Sequence, residues 1–320
     1  MSRVRRLPCR HFRGVSLSEM NRSMSAHIQE ILLRHLSGQS EWTQEGLFSL
    51  CYRLLFRAGY LTLFDSTENV AAVYSEFRTF DHLLSKLARC SLRGGESKTA
   101  HSSRERLWEL LSLSNGHNDD SEWRSWQRSY QRFLQEEGVD ADMQRRALLL
   151  QLWITQCNAG PAAFWLLGFL LTHPEAKEAV QSEMRGLCRE DGSAREGRAN
   201  KAPSTPVLDS VLKETLRLTA AAMISREVVK DKVLHMADGR EYRLRRGDKV
   251  CLFPFLSPQM DPQIHPEPQV FKYDRFLNGD LTAREDFYKD GSRLKYFTMP
   301  WGAGSNVCVG KDFAVTTIKK

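Results

Sequence analysis

Apolar residues recur at three- and four-residue spacing through most of the 320-residue chain, the period of helices that bury one face. The pattern predicts an amphipathic helix over Ser25–Leu36 and a more apolar one over Leu47–Tyr60. Further helices are predicted over Phe77–Arg89, Trp123–Gln135, Met143–Leu171 and Pro174–Arg189, the last with proline at its start. Polar stretches at Ser91–Ser103 and Leu113–Ser121 read as loops, and Asp191–Pro206, rich in Gly, Ala, Ser and Arg, as a connection. Segments at Arg226–Val229, Glu241–Leu244 and Lys249–Phe253, where β-branched and aromatic residues flank Asp238-Gly239 and Arg246-Gly247-Asp248 turns, read as short strands. The expected class is mainly α with a small β-sheet, without internal repeats.

Ala147–Thr172 carries no charged residue and is long enough to span a bilayer. Gln151, Gln156 and Asn158 inside it, and the helix-breaking Gly160-Pro161, favour a core helix buried all round. The net charge of +7 rests largely on Arg3, Arg5, Arg6, Arg10 and Arg13; without them +2 remains, too little for a nucleic-acid surface. That acid-free start resembles a transit peptide; translated sequence from an upstream exon is the alternative favoured here. The seven cysteines lack paired spacing, which argues against a disulfide framework or zinc site and for a reducing compartment. The nine histidines show no metal-ligand spacing.

The chemistry concentrates near the C-terminal end. Trp301-Gly-Ala-Gly-Ser-Asn-Val-Cys308-Val-Gly310 packs three glycines and a thiol just ahead of a helical pattern. Glycines let a backbone bend tightly and approach a flat ligand, and a helix amino end favours thiolate over thiol. Such a sulfur suits the axial position of a haem iron; the plainer reading is a buried, inert cysteine. Upstream, Glu214 and Arg217 lie three apart on one helical face, and Arg275 sits between Tyr273 and Phe276. A carboxylate accepting from two guanidinium groups makes a rigid clamp. Glu-x-x-Arg alone is common in chains of this length; the order of the three motifs is what carries information.

In that order the chain resembles the cytochrome P-450 superfamily. The resemblance implies that fold, incomplete at both ends, with residues 1–15 a disordered basic extension and 16–320 a partial family domain. Within the domain it implies a distal helix at about 143–172, a Glu-x-x-Arg helix at about 207–219 and a haem-thiolate loop at 300–310. It further implies haem b (iron-protoporphyrin IX) with Cys308 as axial ligand. Trp301 would stack over the thiolate, and Gly304, Asn306 and Gly310 would shape the cofactor loop. Asn306 stands where many members have a propionate-pairing arginine. Glu214, Arg217 and Arg275 match the structural triad, and Arg226 a propionate or substrate contact.

The distal segment Asn158-Ala-Gly-Pro-Ala-Ala163 places Ala162 and Ala163 where oxygen-activating members carry an acid and a threonine for proton delivery. Pro161 removes the helical partner of the Cys157 carbonyl, and the opening beside Gly160 is expected to admit a ligand. Leu208–Lys320, Asn158–Trp165 and Arg57–Leu63 resemble the branch that isomerises lipid endoperoxides. The resemblance therefore implies conversion of prostaglandin H2 to prostacyclin by homolytic O–O cleavage, without reductase. Asn158 would be the catalytic distal residue, holding the endoperoxide. Ser225, Arg226 and Lys249 would line the substrate, with Lys249 facing its carboxylate. A monomer on the cytosolic face of the endoplasmic reticulum membrane is implied, with a cyclooxygenase there as candidate partner. The alternatives are an NADPH-dependent sterol or bile-acid hydroxylase, and a non-catalytic fragment unable to hold haem.

Overall fold

A computed structural model describes residues 12–37, 42, 44–64, 68–113, 126–190, 204–236 and 238–320. Contacts divide the chain into two units, one formed by residues 1–164 with 309–320, the other by 165–308.

The first unit is helical. Helix α1 (Gly14–Ser37) packs on α2 (Leu47–Phe64), and α3 (Val70–Ala88) on α4 (Gly94–Leu113). They are joined by α5 (Trp126–Glu136), α6 (Ala141–Gln156), the start of α7 (Ala159–Thr172) and, late in sequence, α10 (Lys311–Ile318). Helix α2 is the apolar centre, with Tyr52, Phe56, Ala58, Tyr60 and Leu63 buried. Phe12, assigned from sequence to the basic extension, is buried against Trp126 and Phe313, with ring centroids 5.3 and 5.8 Å away. Helix α1 begins only two residues later, well before the predicted start at Ser25.

Three expectations need correction. The predicted loop Ser91–Ser103 lies mostly in α4: Ala100, Ser103, Leu107, Leu110 and Leu111 follow a helical period and are buried. Glu96 accepts from the Arg93 backbone N–H and pairs with Lys86 of α3, tethering a start rich in poor helix formers. The predicted helix Met143–Leu171 is two helices, broken at Cys157-Asn158 one turn before Pro161. It is also not buried all round. Leu148, Leu149, Leu152, Ala163 and Leu166 are buried, whereas Leu150, Ile154, Trp165, Leu167 and Leu171 are exposed. Both Leu47–Phe64 and Ala141–Thr172 are long and apolar enough to cross a membrane by length and composition. The loop reading of Leu113–Ser121 and the helix start at Trp123 fall largely outside the described residues, as does most of Asp191–Pro206.

The second unit holds the remainder of α7, α8 (Pro174–Glu190), α9 (Pro206–Thr219) and the strands. Instead of one small sheet, the described residues form three antiparallel pairs: β1 (Ile224–Glu227) with β4 (Lys249–Leu252), β2 (Lys232–His235) with β3 (Glu241–Leu244), and β5 (Tyr288–Lys289) with β6 (Ser292–Arg293). Strand β2 was not anticipated; its four residues are all exposed, so no buried alternation marks it. Glu183 of α8 accepts from the free N–H groups of Val207 and Leu208 at 2.8 and 3.0 Å, capping α9 from outside. Beneath α9, Ile264, Phe276 and Phe287 form a small core joined by Leu294 and Phe297.

Candidate functional site

Helix α9 carries Glu214 and Arg217 on one buried face, and the turn after Phe271 brings Arg275 to them. Arg217 donates to both Glu214 oxygens at 2.7 and 2.8 Å, and Arg275 donates Nε to the same oxygens at 2.9 and 3.0 Å. The Lys272 backbone N–H adds a further donor at 3.1 Å. Glu214 and Arg217 are wholly buried, so the carboxylate needs both cations. Further guanidinium protons are used as well. Arg217 donates to the carbonyls of Gln259 and Pro268, each at 2.7 Å, and Arg275 to those of Pro266 and Val270 at 2.7 and 2.8 Å. The two arginines thereby pin the 259–270 loop to α9.

Two residues that sequence reasoning passed over carry this brace toward the cysteine loop. Buried Gln259 donates to the carbonyls of Arg217 and Ala220 at 2.9 and 3.0 Å and accepts from the Met299 N–H at 3.4 Å. Buried His265 donates Nε2–H to the Phe297 carbonyl at 2.8 Å. Burial pushes the His265 pKa down to about 4, with Arg217 and Arg275 acting in the same direction, so the ring is neutral. For Gln259, a polar residue closing the apolar, proline-containing stretch 251–258 is the one signal that could have flagged it; His265 sits among other polar residues and carries none.

Immediately beyond, the Cys308 N–H donates to the Trp301 carbonyl at 2.8 Å and closes the loop. Gly302 (φ +76°) and Gly304 (φ +62°) take left-handed backbone, and a Cβ on Gly302 would sit 3.2 Å from the Asn306 carbonyl oxygen. The structure thus brings Trp301, Gly304, Asn306 and Cys308 into one loop, and Gly310 caps α10. Cys308 is exposed, which corrects the reading of a buried, inert thiol. The loop suits a haem-thiolate ligand: one accessible sulfur, and glycine backbone without side chains around it. No cluster of three or more His, Cys, Asp or Glu competes as a metal site among the described residues.

The predicted substrate residues are not all brought together. Ser225, Arg226 and Lys249 are exposed on the β1–β4 pair, where Glu227 faces Lys249 and Arg226 faces Val250. Side chains alternate along a strand, so Ser225 and Lys249 share one face and Arg226 occupies the other. Arg226 turns its guanidinium onto the neighbouring Ser225 carbonyl at 2.7 Å.

In the first unit, Asn158 is exposed at the break between α6 and α7, and its carbonyl accepts the Ala162 N–H at 3.2 Å. Gly160 has a packing role that the sequence did not indicate. Its missing side chain makes room for α2, since a Cβ there would lie 2.9 Å from the Tyr52 Cα. Helix α2 is equally close at Gly59, where a Cβ would meet the Gln156 amide at 2.8 Å. Asp81 of α3, also overlooked, accepts from the Trp153 indole at 3.1 Å and from Arg78 at 3.1 Å. Burial, then the Asp81 charge, pushes the Cys157 thiol up to about 12, so it stays protonated.

Comparison with known proteins gives consistent matches. Residues 160–320 match the family model for cytochrome P450, half of the chain. Prostacyclin synthase of Rattus norvegicus is 48% identical over 95% of the chain, and that of Homo sapiens 47% over 95%. The 7-alpha-hydroxycholest-4-en-3-one 12-alpha-hydroxylase of Homo sapiens is 39% identical over 97%. The chain spans 64% of the length of each of these relatives. A cytochrome P450 crystal structure, 16% identical, matches with a TM-score of 0.74 over 99% of this chain and 69% of its own. That likeness bears on fold alone.

Proposed function

The chain belongs to the cytochrome P450 family, and on that premise we propose that it acts as a haem-thiolate isomerase converting prostaglandin H2 to prostacyclin. The observation that carries this reading is the distal sequence at the α6–α7 break. Asn158 offers an amide, while Ala162 and Ala163 offer only methyl groups where proton delivery would otherwise be made. A substrate that already contains its O–O bond needs no delivered proton. The 48% identity to a prostacyclin synthase supports the same choice.

Haem b, when bound, supplies a ferric Lewis acid able to accept an endoperoxide oxygen and promote homolysis of the O–O bond. Cys308 provides the sulfur, and the Trp301–Cys308 hydrogen bond holds the loop that presents it. Trp301, Gly304, Asn306 and Gly310 form the cofactor loop. Glu214, Arg217 and Arg275, through Gln259 and His265, keep that loop in register. Asn158 donates a hydrogen bond that orients the endoperoxide, and Lys249 with Ser225 faces the substrate carboxylate. Arg226, from the other face of the hairpin, holds a propionate. The setting is the cytosolic face of the endoplasmic reticulum membrane, as a monomer beside a cyclooxygenase.

The deciding experiment supplies haem-loaded protein with prostaglandin H2 and no NADPH or reductase. Formation of the bicyclic enol ether supports the isomerase. Strict dependence on NADPH overturns it in favour of the second reading, a sterol or bile-acid hydroxylase, which the 39% identity to a 12-alpha-hydroxylase supports. A chain that takes up no haem and stays colourless is a non-catalytic fragment.

A further inference from the structure

Away from the cysteine loop, a cleft of about 600 Å³ opens between α1 and α2. Charged side chains and apolar ones share its lining, and the apolar part is continuous: Ile31 from α1 and Leu50, Leu54 and Leu61 from α2 are all half-buried around it. The charges at its rim are nearly balanced. Arg34 is paired with Glu30 at 2.5 Å, and Arg53 with Glu45 at 2.8 Å. Arg57 is the exception. It lines the cleft, its Nε is buried without a hydrogen-bond partner, and its guanidinium has no ion pair among the described residues.

A desolvated guanidinium nitrogen without an acceptor is unfavourable, and a carboxylate is its best-matched partner. One uncompensated cation calls for one negative charge; a polyanion would face Glu30 and Glu45 across the rim. The apolar walls call for hydrocarbon behind that charge, and the volume lies within the range of small-ligand sites. We propose that this cleft binds a monoanionic amphiphile, a long-chain carboxylate with its head on Arg57 and its chain along Ile31, Leu50, Leu54 and Leu61. The site is independent of haem and of the isomerase reading, since every residue lining it lies between positions 27 and 70 of the first unit.

The test is photolabelling of the full chain with a diazirine-bearing palmitate, followed by peptide mapping. Labelling is expected on peptides from α1 and α2, about tenfold or more weaker for the methyl ester and for Arg57→Gln, and largely retained in Arg57→Lys. The ester comparison uses the unaltered chain, so it stands even if the glutamine variant folds poorly. Label distributed on other segments, or equal labelling by acid and ester, overturns the proposal. Loss of prostaglandin conversion with cleft labelling intact would count only against the isomerase.

Discussion

Glu214 receives donors from two arginines and the Lys272 backbone, and no water-facing surface remains to it. Removing one member of such a group leaves uncompensated buried charge. Glu214→Ala is therefore expected to cost about 3–5 kcal/mol, read as a shift in the urea unfolding curve. Cys308 behaves differently because it is exposed and contributes little to packing. Cys308→Ser is expected to leave unfolding unchanged while abolishing the thiolate signature of the haem–carbon monoxide spectrum. Asn158→Ala should retain the haem spectrum yet lower prostaglandin conversion by roughly a hundredfold, the scale of losing one oriented donor. Unchanged conversion in that variant would remove Asn158 from the site.

At the scale of elements, the approach of α2 to the α6–α7 break is set by two glycines. Gly160 lies under the Tyr52 backbone with no room for a methyl group, and Gly59 under the Gln156 amide, which a methyl group would displace. Gly160→Val is expected to destabilise the first unit by about 1–3 kcal/mol, because the obstructing atom belongs to backbone. Thermal unfolding followed by circular dichroism reads this, and an unaltered midpoint would show that α2 gives way. The helical period at Leu47–Tyr60 was legible in sequence because it is a local property; Gly160-Pro161 marked a weak point in the next long helix, but the full break at Cys157-Asn158 was not read. Helix α4 was not legible either. Its Ser, Gly and Thr residues have weak local preference for helix, and Lys86 of the neighbouring helix supplies the pairing that starts it.

Over the whole molecule, acid stability should follow His265. Its folded pKa is depressed to about 4 against an ordinary value near 6.5. The unfolded chain therefore takes up a proton in this range and the folded one does not, so stability is complete above about 6.5 and falls as pH drops toward 4. Asp261, held below its ordinary 3.8 chiefly by a hydrogen bond from Lys289, loses its contribution only at lower pH. Between pH 7 and 4.5 the wild-type chain should lose clearly more stability than His265→Gln, which keeps a donor toward Phe297. Equal losses by denaturant titration would relieve His265 of this role.

The amino-acid sequence alone settled the family, because glycines, a thiol and the Glu-x-x-Arg pair are chemical requirements written at short range. It also settled the helical class, since a period of three to four residues is a local signal. Tertiary structure decided what required residues distant in the chain. Gln259 and His265 became the link between triad and cysteine loop, Gly160 became a packing residue, and Arg226 fell on the strand face opposite the Ser225 and Lys249 side chains. Each depends on which buried polar atom or backbone lies opposite, and local order along a chain does not contain that information.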